Sequence, residues 1–200
     1  MIPPAGITPG KENLFYNDSH HAWRKELKKF VAKEIAPFVE TWEEAGEFPR
    51  ELYKKAGDFG LLGMGYPEKY GGTFEGIDIF HGIVTSEELA QGSGGIAASL
   101  LSLNISLPLI LALGTEEQKE KYITPVIAGD KIACLGVTEP SGGSDVAGIK
   151  TKAVRDGSDY ILNGSKMFIT SGMRADYYVI ACRTGGPGTS GISAILVEKG

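Results

Sequence analysis

The spacing of apolar side chains predicts helices through the first two thirds of the chain. In the first helix, apolar residues recur at intervals of up to four positions, with lysines and glutamates between them: Trp23, Leu27, Phe30, Val31 and Ile35. Such a repeat places apolar side chains on one face of an amphipathic helix. We predict Asp18 or Ser19 as the N-cap and a stop at Pro37, because short polar side chains cap helix N-termini and proline interrupts the helical hydrogen bonds.

Further helices are predicted from the same periodicity and from capping residues: Arg50–Ala56, Asp78–Ala90, Ile96–Leu113, and a helix opened by the capping box of Thr115–Gln118 and running to about Ile123. Ile96–Leu113 is the most apolar stretch, but serine, asparagine and proline residues interrupt it. A buried helix therefore fits this stretch better than a membrane crossing does.

Beyond about Ile132 the pattern changes to short apolar or alternating runs separated by turn residues, which is typical of antiparallel strands. The predicted strands are Ile132–Val137, Lys150–Arg155, Tyr160–Leu162, Lys166–Thr170, Tyr177–Arg183 and Ile192–Val197. Asp156-Gly157 and Asn163-Gly164 are predicted hairpin turns, because these residue types tolerate positive φ. The predicted fold class is α+β and multidomain: an all-α helical domain over residues 1–130, then an antiparallel β-barrel or sandwich domain over residues 131–200.

Composition and charge exclude several classes of partner. Hydrophobic residues make up 42% and charged residues 22% of the chain, as in an ordinary globular protein, and the formal net charge is −5. No basic stripe of the kind that binds nucleic acid or an anionic membrane is visible, so we expect neither partner. Glycine is enriched, with 28 residues, which indicates many turns or close backbone approaches.

The cysteines and the N-terminus indicate an intracellular protein. Cys134 and Cys182 each lie among apolar residues, which is typical of buried free thiols in a reducing compartment. Met1–Gly10 lacks the basic and apolar runs of a secretory signal. We therefore expect a cytoplasmic location.

Generic catalytic motifs are missing from the sequence. His20, His21 and His81 are its only histidines and show no metal-binding spacing, so no metal site is expected. The glycines at 60, 63 and 65 do not match the dinucleotide-binding pattern, and no G-x-S-x-G elbow is present.

The most specific stretch is Gly136–Asp145, which follows a predicted strand and reads Gly-Val-Thr-Glu-Pro-Ser-Gly-Gly-Ser-Asp. Thr138 and Ser144 supply hydroxyls, and the paired glycines let backbone N–H groups approach a ligand. Asp145 can hydrogen-bond the backbone that follows and close the turn. By composition alone, an ordinary strand-to-loop turn is the alternative.

The order of these residues resembles the signature of the acyl-CoA dehydrogenase family, flavoproteins that desaturate acyl-CoA thioesters. The pattern small–aliphatic–Ser/Thr–Glu–x–x–small–Gly–Ser/Thr–Asp–x–x–small is met through Gly148. Similar flanking stretches are Glu120-Lys-Tyr122, Ile127-Ala-Gly129 and Gly157–Gly172. The resemblance runs from about Trp23 to Val197 and implies a helical N-terminal domain followed by most of a β middle domain.

The resemblance implies FAD as the cofactor and gives roles to single residues. The positions implied to contact FAD are Leu135, Val137, Thr138, Gly143, Ser144, Phe168, Ile169 and Thr170. Thr138 would hydrogen-bond the pyrimidine edge of the flavin, and Ser144 would also contact the CoA part of the substrate. Phe168 would pack on the ring, and Thr170 would hydrogen-bond near flavin N5.

The family reaction, as the resemblance implies it, removes an α-proton from an acyl-CoA with a carboxylate while a hydride passes from the β-carbon to the flavin. Electrons then pass to an electron-transferring flavoprotein, in fatty acid β-oxidation. In the family, the base and the core of a homotetramer or dimer belong to a C-terminal helical domain. We expect that domain to lie outside these 200 residues, so no catalytic residue is assigned here and the chain alone is expected to be inactive.

Alternative functions stay open on the sequence. The chain could be a non-catalytic module that binds flavin or acyl-CoA, or one half of a split acyl-CoA dehydrogenase. A more distant alternative is an acyl-CoA oxidase or another flavoenzyme of the same fold. Glu139 beside Pro140 is interpreted as structural, not as a general base.

Overall fold

The computed structural model describes residues 15–200, so the prediction about Met1–Gly10 lies outside the described residues. Backbone proximity divides the chain into two compact units. One comprises the residues up to Phe48 together with Gly76–Ala97, and the other comprises Pro49–Glu75 together with Ala98–Gly200. The domain boundary expected near residue 130 stays a prediction.

The elements follow one another in a helical half and then a strand-rich half. Within residues 15–200 the helices are α1 (Asp18–Glu34), α2 (Val39–Ala45), α3 (Glu51–Asp58), α4 (Ile79–Gly92), α5 (Gly94–Leu100), α6 (Leu103–Leu113) and α7 (Glu116–Ile127). The strands are β1 (Ala133–Gly136), β2 (Lys152–Asp156), β3 (Asp159–Asn163), β4 (Tyr177–Arg183) and β5 (Ile192–Glu198). Short 3₁₀ turns lie at Ala36–Phe38, Glu68–Tyr70, Val146–Gly148 and Thr189–Gly191.

The first unit is built on α1 packed against α4. The N-cap of α1 is Asn17, one residue before the predicted Asp18 or Ser19, because the Asn17 side chain accepts hydrogen bonds from the backbone N–H groups of Ser19 and His20. Asp78 caps α4 in the same way. Apolar side chains from both helices are buried: Leu27, Phe30, Val31, Ile35, Val84 and Leu89. The predicted amphipathic face of α1 is thus the face that packs in the core.

Helix α1 ends at Glu34, shortly before the predicted stop at Pro37, and a new helical segment follows. After the 3₁₀ turn at Ala36–Phe38, α2 runs to Ala45 and ends at Gly46, whose φ of +72° is left-handed. The apolar spacing did not predict α2. Proline is compatible with the first turn of a helix, and Pro37 lies at the start of the 3₁₀ turn that leads into α2.

In the second unit, the capping box predicted at the start of α7 is present. The Thr115 hydroxyl accepts a hydrogen bond from the Gln118 N–H and the Gln118 side-chain oxygen accepts one from the Thr115 N–H, which confirms the capping box. The helix runs to Ile127 and not to about Ile123, with Pro125 inside it. Similarly, α3 runs through Gly57 to Asp58, beyond the predicted end at Ala56.

The apolar stretch predicted as one helix is two helices, α5 and α6. Ser102 donates its hydroxyl to the Ser99 carbonyl oxygen at 2.7 Å, and a serine that bonds local backbone in this way competes with the helical ladder. The segment Gly94–Leu113 has a mean hydropathy of 2.1 and is 39% buried, and among the described residues it alone is apolar and long enough to cross a membrane.

The strands form a mixed, open sheet, which corrects the predicted antiparallel barrel or sandwich. Strand β4 pairs antiparallel with β5, parallel with β1, and parallel with the start of β2, and β2 pairs antiparallel with β3. Within the described strands β3 pairs with β2 alone and β5 with β4 alone, so the sheet does not close. Turn residues in a sequence indicate only how consecutive strands are joined. The parallel pairs join strands that are distant in sequence, so the turn residues could not predict them.

One predicted strand and one predicted hairpin are wrong. The turn at Asp156-Gly157 joins β2 to β3, as expected. Lys166–Thr170 is irregular, with Phe168 at a left-handed φ of +57°, so Asn163-Gly164 does not open a hairpin. A left-handed residue cannot continue the extended backbone of a strand.

Both cysteines are buried free thiols, as predicted. Cys134 and Cys182 are each 0% exposed, and burial raises the pKa of the Cys134 thiol to about 11.

Candidate functional site

An open cleft lies on one face of the sheet in the second unit. It has a volume of about 560 Å³ and is lined by Lys166, Phe168, Ile169, Thr170, Gly172, Met173, Tyr178 and Ile180. Tyr178 and Ile180 alternate along β4 and therefore project from the same face of the sheet. The other residues come from the irregular segment between β3 and β4, which forms the wall of the cleft.

Two large apolar side chains of that wall are exposed. Phe168 is 87% exposed and Met173 is 94% exposed. Large apolar side chains grouped at the surface are typical of a binding site, because burying them against a ligand is favourable. The positive φ of Phe168 accounts for its exposure, since it turns the side chain away from the direction that a strand would give it.

A buried ion pair joins this wall to the Thr138–Gly143 turn. Glu139 is 5% exposed, and its carboxylate accepts from the Lys166 ammonium at 3.0 Å and from the N–H groups of Lys150 and Thr151 at 2.8 Å each. Lys166 also donates to the Val137 carbonyl oxygen at 2.8 Å. The Glu139–Lys166 ion pair therefore joins the two segments that carry the predicted cofactor contacts.

The environment of Glu139 keeps it ionised. Burial alone would disfavour the charge, but the donors of Thr151 and Lys150 and the Lys166 ammonium outweigh it and lower the pKa of Glu139 from 4.5 to about 2. A carboxylate with this pKa and saturated by donors is a poor proton acceptor near neutral pH. Its role is structural, as the sequence indicated.

The Thr138 turn is closed by reciprocal backbone bonds. The N–H of Glu139 donates to the Gly142 carbonyl and the N–H of Gly142 donates back, both at 3.0 Å. Gly143 packs on the Thr138 side chain, because a Cβ at Gly143 would lie 2.9 Å from Thr138 Oγ1. Asp145 then accepts from the Gly148 N–H at 3.2 Å and closes the next turn, as expected.

The structure brings some of the predicted residues together and separates others. Phe168, Ile169 and Thr170 line the cleft, and the Met167 N–H donates to the Thr138 carbonyl at 2.9 Å, which holds the Thr138 turn beside them. Ser144 is exposed in the following turn.

Leu135 belongs to the other face of the sheet. It pairs with Val179, which faces α6 and not the cleft. Val137 follows the strand and is half-buried. A ligand in the cleft could therefore contact the backbone of Leu135 but not its side chain.

The sequence did not single out four contributors to the site. Lys166 anchors the wall, Tyr178 and Ile180 form the floor, and Met173 extends the apolar surface. Lys166 and Glu139 are 27 positions apart, so no local spacing could have paired them. The one available sequence signal for Lys166 was its position directly before three apolar residues, 167–169.

The lining of the cleft suits a mostly apolar group that carries some polar atoms. Gly136 leaves room for the side chains that line the cleft, because a Cβ there would lie 2.7 Å from Ile180 Cδ1 and 3.4 Å from Lys166 Cγ. The Phe168 ring supplies an apolar surface, and the Thr170 hydroxyl supplies a donor or acceptor beside it. These residues could hold an isoalloxazine ring.

A cluster of possible metal ligands in the first unit is better explained as interlocked helix caps. Ligand atoms of His20, Asp78 and His81 lie within 4.8 Å of one another. However, Nδ1 of His20 accepts from the Asn17 N–H at 3.0 Å, and the Asp78 carboxylate already bonds both rings, at 2.8 Å from His20 Nε2 and 2.9 Å from His81 Nδ1. A neutral imidazole has one acceptor nitrogen, so at His20 the backbone already uses the lone pair that a metal would need.

Comparison with known families agrees with this geometry. The acyl-CoA dehydrogenase N-terminal domain matches residues 17–130, and the acyl-CoA dehydrogenase middle domain matches residues 134–200. The long-chain specific acyl-CoA dehydrogenase of Rattus norvegicus mitochondria is 42% identical over 188 residues, which is 92% of this chain and 43% of the rat protein. The chain thus spans somewhat less than half the length of this relative.

Solved structures show the same similarity. A putative acyl-CoA dehydrogenase from Mycobacterium smegmatis superposes with a TM-score of 0.88 at 44% identity, over 94% of this chain and 49% of the other. A glutaryl-CoA dehydrogenase from the same organism, in complex with FADH2, gives a TM-score of 0.82 at 36% identity, over 92% and 46% of the two chains. The family models, the sequence identity and the shared backbone agree, and the chain belongs to the acyl-CoA dehydrogenase family.

Proposed function

We propose that the protein carrying this chain is an FAD-dependent dehydrogenase that converts a fatty or branched acyl-CoA thioester into the trans-2-enoyl-CoA. The observation that carries the proposal is the cleft in which Phe168, Ile169 and Thr170 stand beside the Thr138 turn, joined to it through Lys166 and Glu139. Family membership and a neighbour solved with FADH2 support FAD as the group that this cleft takes.

The residues of this chain would bind and orient the cofactor and the substrate. Phe168 would cover one face of the flavin ring, Thr170 would hydrogen-bond near its N5 atom, and Thr138 would hydrogen-bond its pyrimidine edge. Leu135, Val137, Ile169 and Gly143 would line the ring through backbone or side-chain contact. Ser144, exposed beyond the turn, would contact the CoA moiety.

When bound, FAD supplies a hydride acceptor, which no amino-acid side chain provides. The apolar wall formed by Phe168, Ile169 and Met173 would exclude water from the reacting atoms. Glu139 is unsuited to take the α-proton, because it is buried beneath the turn with its donors in place. We therefore place the base outside these residues, in the C-terminal helical part that the family resemblance implies.

The remaining parts of the proposal concern the whole protein. Electrons would pass to an electron-transferring flavoprotein, the protein would assemble as a homotetramer or dimer, and it would act in the cytoplasm in fatty acid breakdown. The electron acceptor, the oligomeric state and the role in fatty acid breakdown rest on the resemblance, and the location rests on Cys134 and Cys182, which lie among apolar residues as free thiols of a reducing compartment do.

The decisive experiment uses the whole protein and its Thr170→Ala variant. The purified protein is expected to carry visible flavin absorbance and to lose it on anaerobic addition of acyl-CoA thioesters of several chain lengths. Loss of the Thr170 hydrogen bond is expected to slow that reduction about 10-fold, as removal of one polar contact to a reacting centre does. Thr41→Ala, which changes an exposed threonine of α2, is the matched control and should reduce at the wild-type rate.

Two results would count against the proposal. If the protein binds no flavin, the proposed function is wrong. A protein that binds flavin and acyl-CoA but shows no reduction by any thioester would support the alternative, a binding module without dehydrogenase activity. Wild-type reduction kinetics in Thr170→Ala would remove Thr170 from the site.

A further inference from the structure

We propose that Tyr53 of α3 is a positioning residue that holds Phe168, Ile169 and Thr170 in the geometry that the cofactor needs. This inference rests on the proposed function and deepens it. It is carried by contacts within the second unit, between α3 and the irregular segment before β4.

The Tyr53 hydroxyl links two backbone segments in a directed chain of hydrogen bonds. Tyr53 is 3% exposed, and its oxygen lies 3.2 Å from the Ser99 carbonyl oxygen and 3.1 Å from Ser171 Oγ. A carbonyl can only accept and a phenol has one proton, so Tyr53 donates to Ser99 and must accept from Ser171. The direction of both bonds is therefore determined.

The residue held by this chain is a strained one. Ser171 has a left-handed φ of +61°, and Phe168, three positions earlier, has a φ of +57°. Non-glycine residues persist in this region only where the surroundings determine their conformation. The Tyr53 bond constrains the Ser171 side chain, and the Ser171 carbonyl accepts from the N–H groups of Arg174 and Ala175 at 3.0 and 2.8 Å.

The far end of the same segment is fastened separately. Arg50, the N-cap residue of α3, donates to the Arg174 carbonyl and to the Asp176 carboxylate, both at 2.6 Å, and Asp176 also accepts from the Ile132 N–H at 2.8 Å. With the Arg174–Asp176 end secured in this way, Tyr53 acts at the end that is joined directly to Thr170. Loss of the Tyr53 hydroxyl should therefore change the conformation of the cleft wall and leave the rest of the second unit unchanged.

Tyr53 itself is held firmly enough to position another residue. Its backbone carbonyl lies against Gly129, where a Cβ would be 2.1 Å from the oxygen, and the Arg174 guanidinium stands over its ring at 5.5 Å. Burial raises the pKa of the Tyr53 hydroxyl above its ordinary value, so it keeps its proton and remains a donor at neutral pH.

The experiment compares Tyr53→Phe with Tyr122→Phe in the whole protein. Tyr122 is 9% exposed against 3% for Tyr53, and its hydroxyl donates to the exposed Glu198 carboxylate at 2.8 Å, away from the cleft residues. Each variant removes one tyrosine hydroxyl that donates a hydrogen bond, so Tyr122→Phe reports what such a loss does when no cleft segment depends on it. Measurements are the FAD dissociation constant, the shape of the flavin visible spectrum and the rate of flavin reduction by an acyl-CoA.

We expect Tyr53→Phe to weaken FAD binding about fivefold, the effect of one hydrogen bond, and to alter the flavin spectrum. Ser171→Ala should reproduce this change, and the double variant should add nothing, because both remove the same bond. Tyr122→Phe should leave FAD binding and the spectrum at wild-type values.

The outcomes separate this proposal from the function on which it rests. A wild-type protein that binds no FAD would overturn both. A wild-type protein that binds and reduces FAD, with Tyr53→Phe equal to it in affinity, spectrum and rate, would overturn the role of Tyr53 alone. Equal effects of Tyr53→Phe and Tyr122→Phe on the flavin would do the same.

Discussion

At the scale of single residues, the chemistry of the site depends on Glu139, a buried carboxylate that stays charged. Its donors are the N–H groups of Lys150 and Thr151 and the Lys166 ammonium, and Lys166 donates in addition to the Val137 carbonyl oxygen. Removing one partner of such a pair leaves the other charge buried and uncompensated, which is more costly than losing an exposed ion pair.

This arrangement predicts a dependence of stability on acid pH. Because the folded pKa of Glu139, about 2, lies below its ordinary 4.5, the ionised group contributes stability above pH 4.5 that is lost as the pH falls from 4.5 toward 2. Glu139→Gln should therefore be less stable than wild type at pH 7, and the difference should shrink across that window. Denaturant unfolding at a series of pH values measures it.

The control for this prediction is Glu117→Gln, which changes an exposed glutamate at the start of α7. It should cost little stability at any pH. A Glu139→Gln variant with the same free energy of unfolding as wild type at pH 7 would contradict the role given to the buried pair.

At the scale of secondary-structure elements, capping chemistry determines where α7 begins. The Thr115 hydroxyl accepts from the Gln118 N–H at 3.2 Å, so it satisfies one of the N–H groups left unpaired at the helix start. Thr115→Ala should lower the free energy of unfolding by about 1 kcal/mol. Thr115→Ser keeps the hydroxyl and should lose much less, and chemical denaturation of the two variants separates the cap from the loss of a methyl group.

Elements were predictable where their signals are local. The amphipathic face of α1, the capping box of α7 and the Asp156-Gly157 turn each depend on residues a few positions apart. Predictions failed where a distant contact decided the outcome. Lys166–Thr170 has the composition of a strand, but its backbone bonds to the Thr138 turn and its left-handed Phe168 exclude it from the sheet.

At the scale of the whole molecule, close backbone approach within the second unit fixes the end of α7 against α3. Gly129 has a φ of +77°, and a Cβ there would lie 2.1 Å from the Tyr53 carbonyl oxygen. Gly129→Ala therefore combines backbone strain with a steric clash. Gly60 has a similar φ of +87°, but an added Cβ would meet nothing within 4 Å.

The pair of variants separates these two effects. Gly60→Ala should cost about 1 kcal/mol of stability for the left-handed backbone alone. Gly129→Ala should cost about 1–3 kcal/mol more, because neither backbone can move without disturbing α3. Thermal or denaturant unfolding of both variants measures the difference, and equal losses would mean that α3 and the end of α7 do not approach as closely as described.

The sequence by itself determined the helices with strong periodicity, the capping box of α7 and the Asp156-Gly157 hairpin turn, and it carried the family motif between Gly136 and Gly148. These features depend on interactions among near neighbours in the chain, which a local pattern records. It also grouped Phe168, Ile169 and Thr170, which are consecutive, and the structure has all three lining one cleft.

Only the tertiary structure decided how the sheet is paired and what supports the cleft. The parallel pairing of β1 with β4, the Glu139–Lys166 pair 27 positions apart and the Tyr53–Ser171 bond 118 positions apart have no local signature. Each forms because the packed core brings distant backbone segments within hydrogen-bond reach and excludes the water that would otherwise satisfy their polar groups.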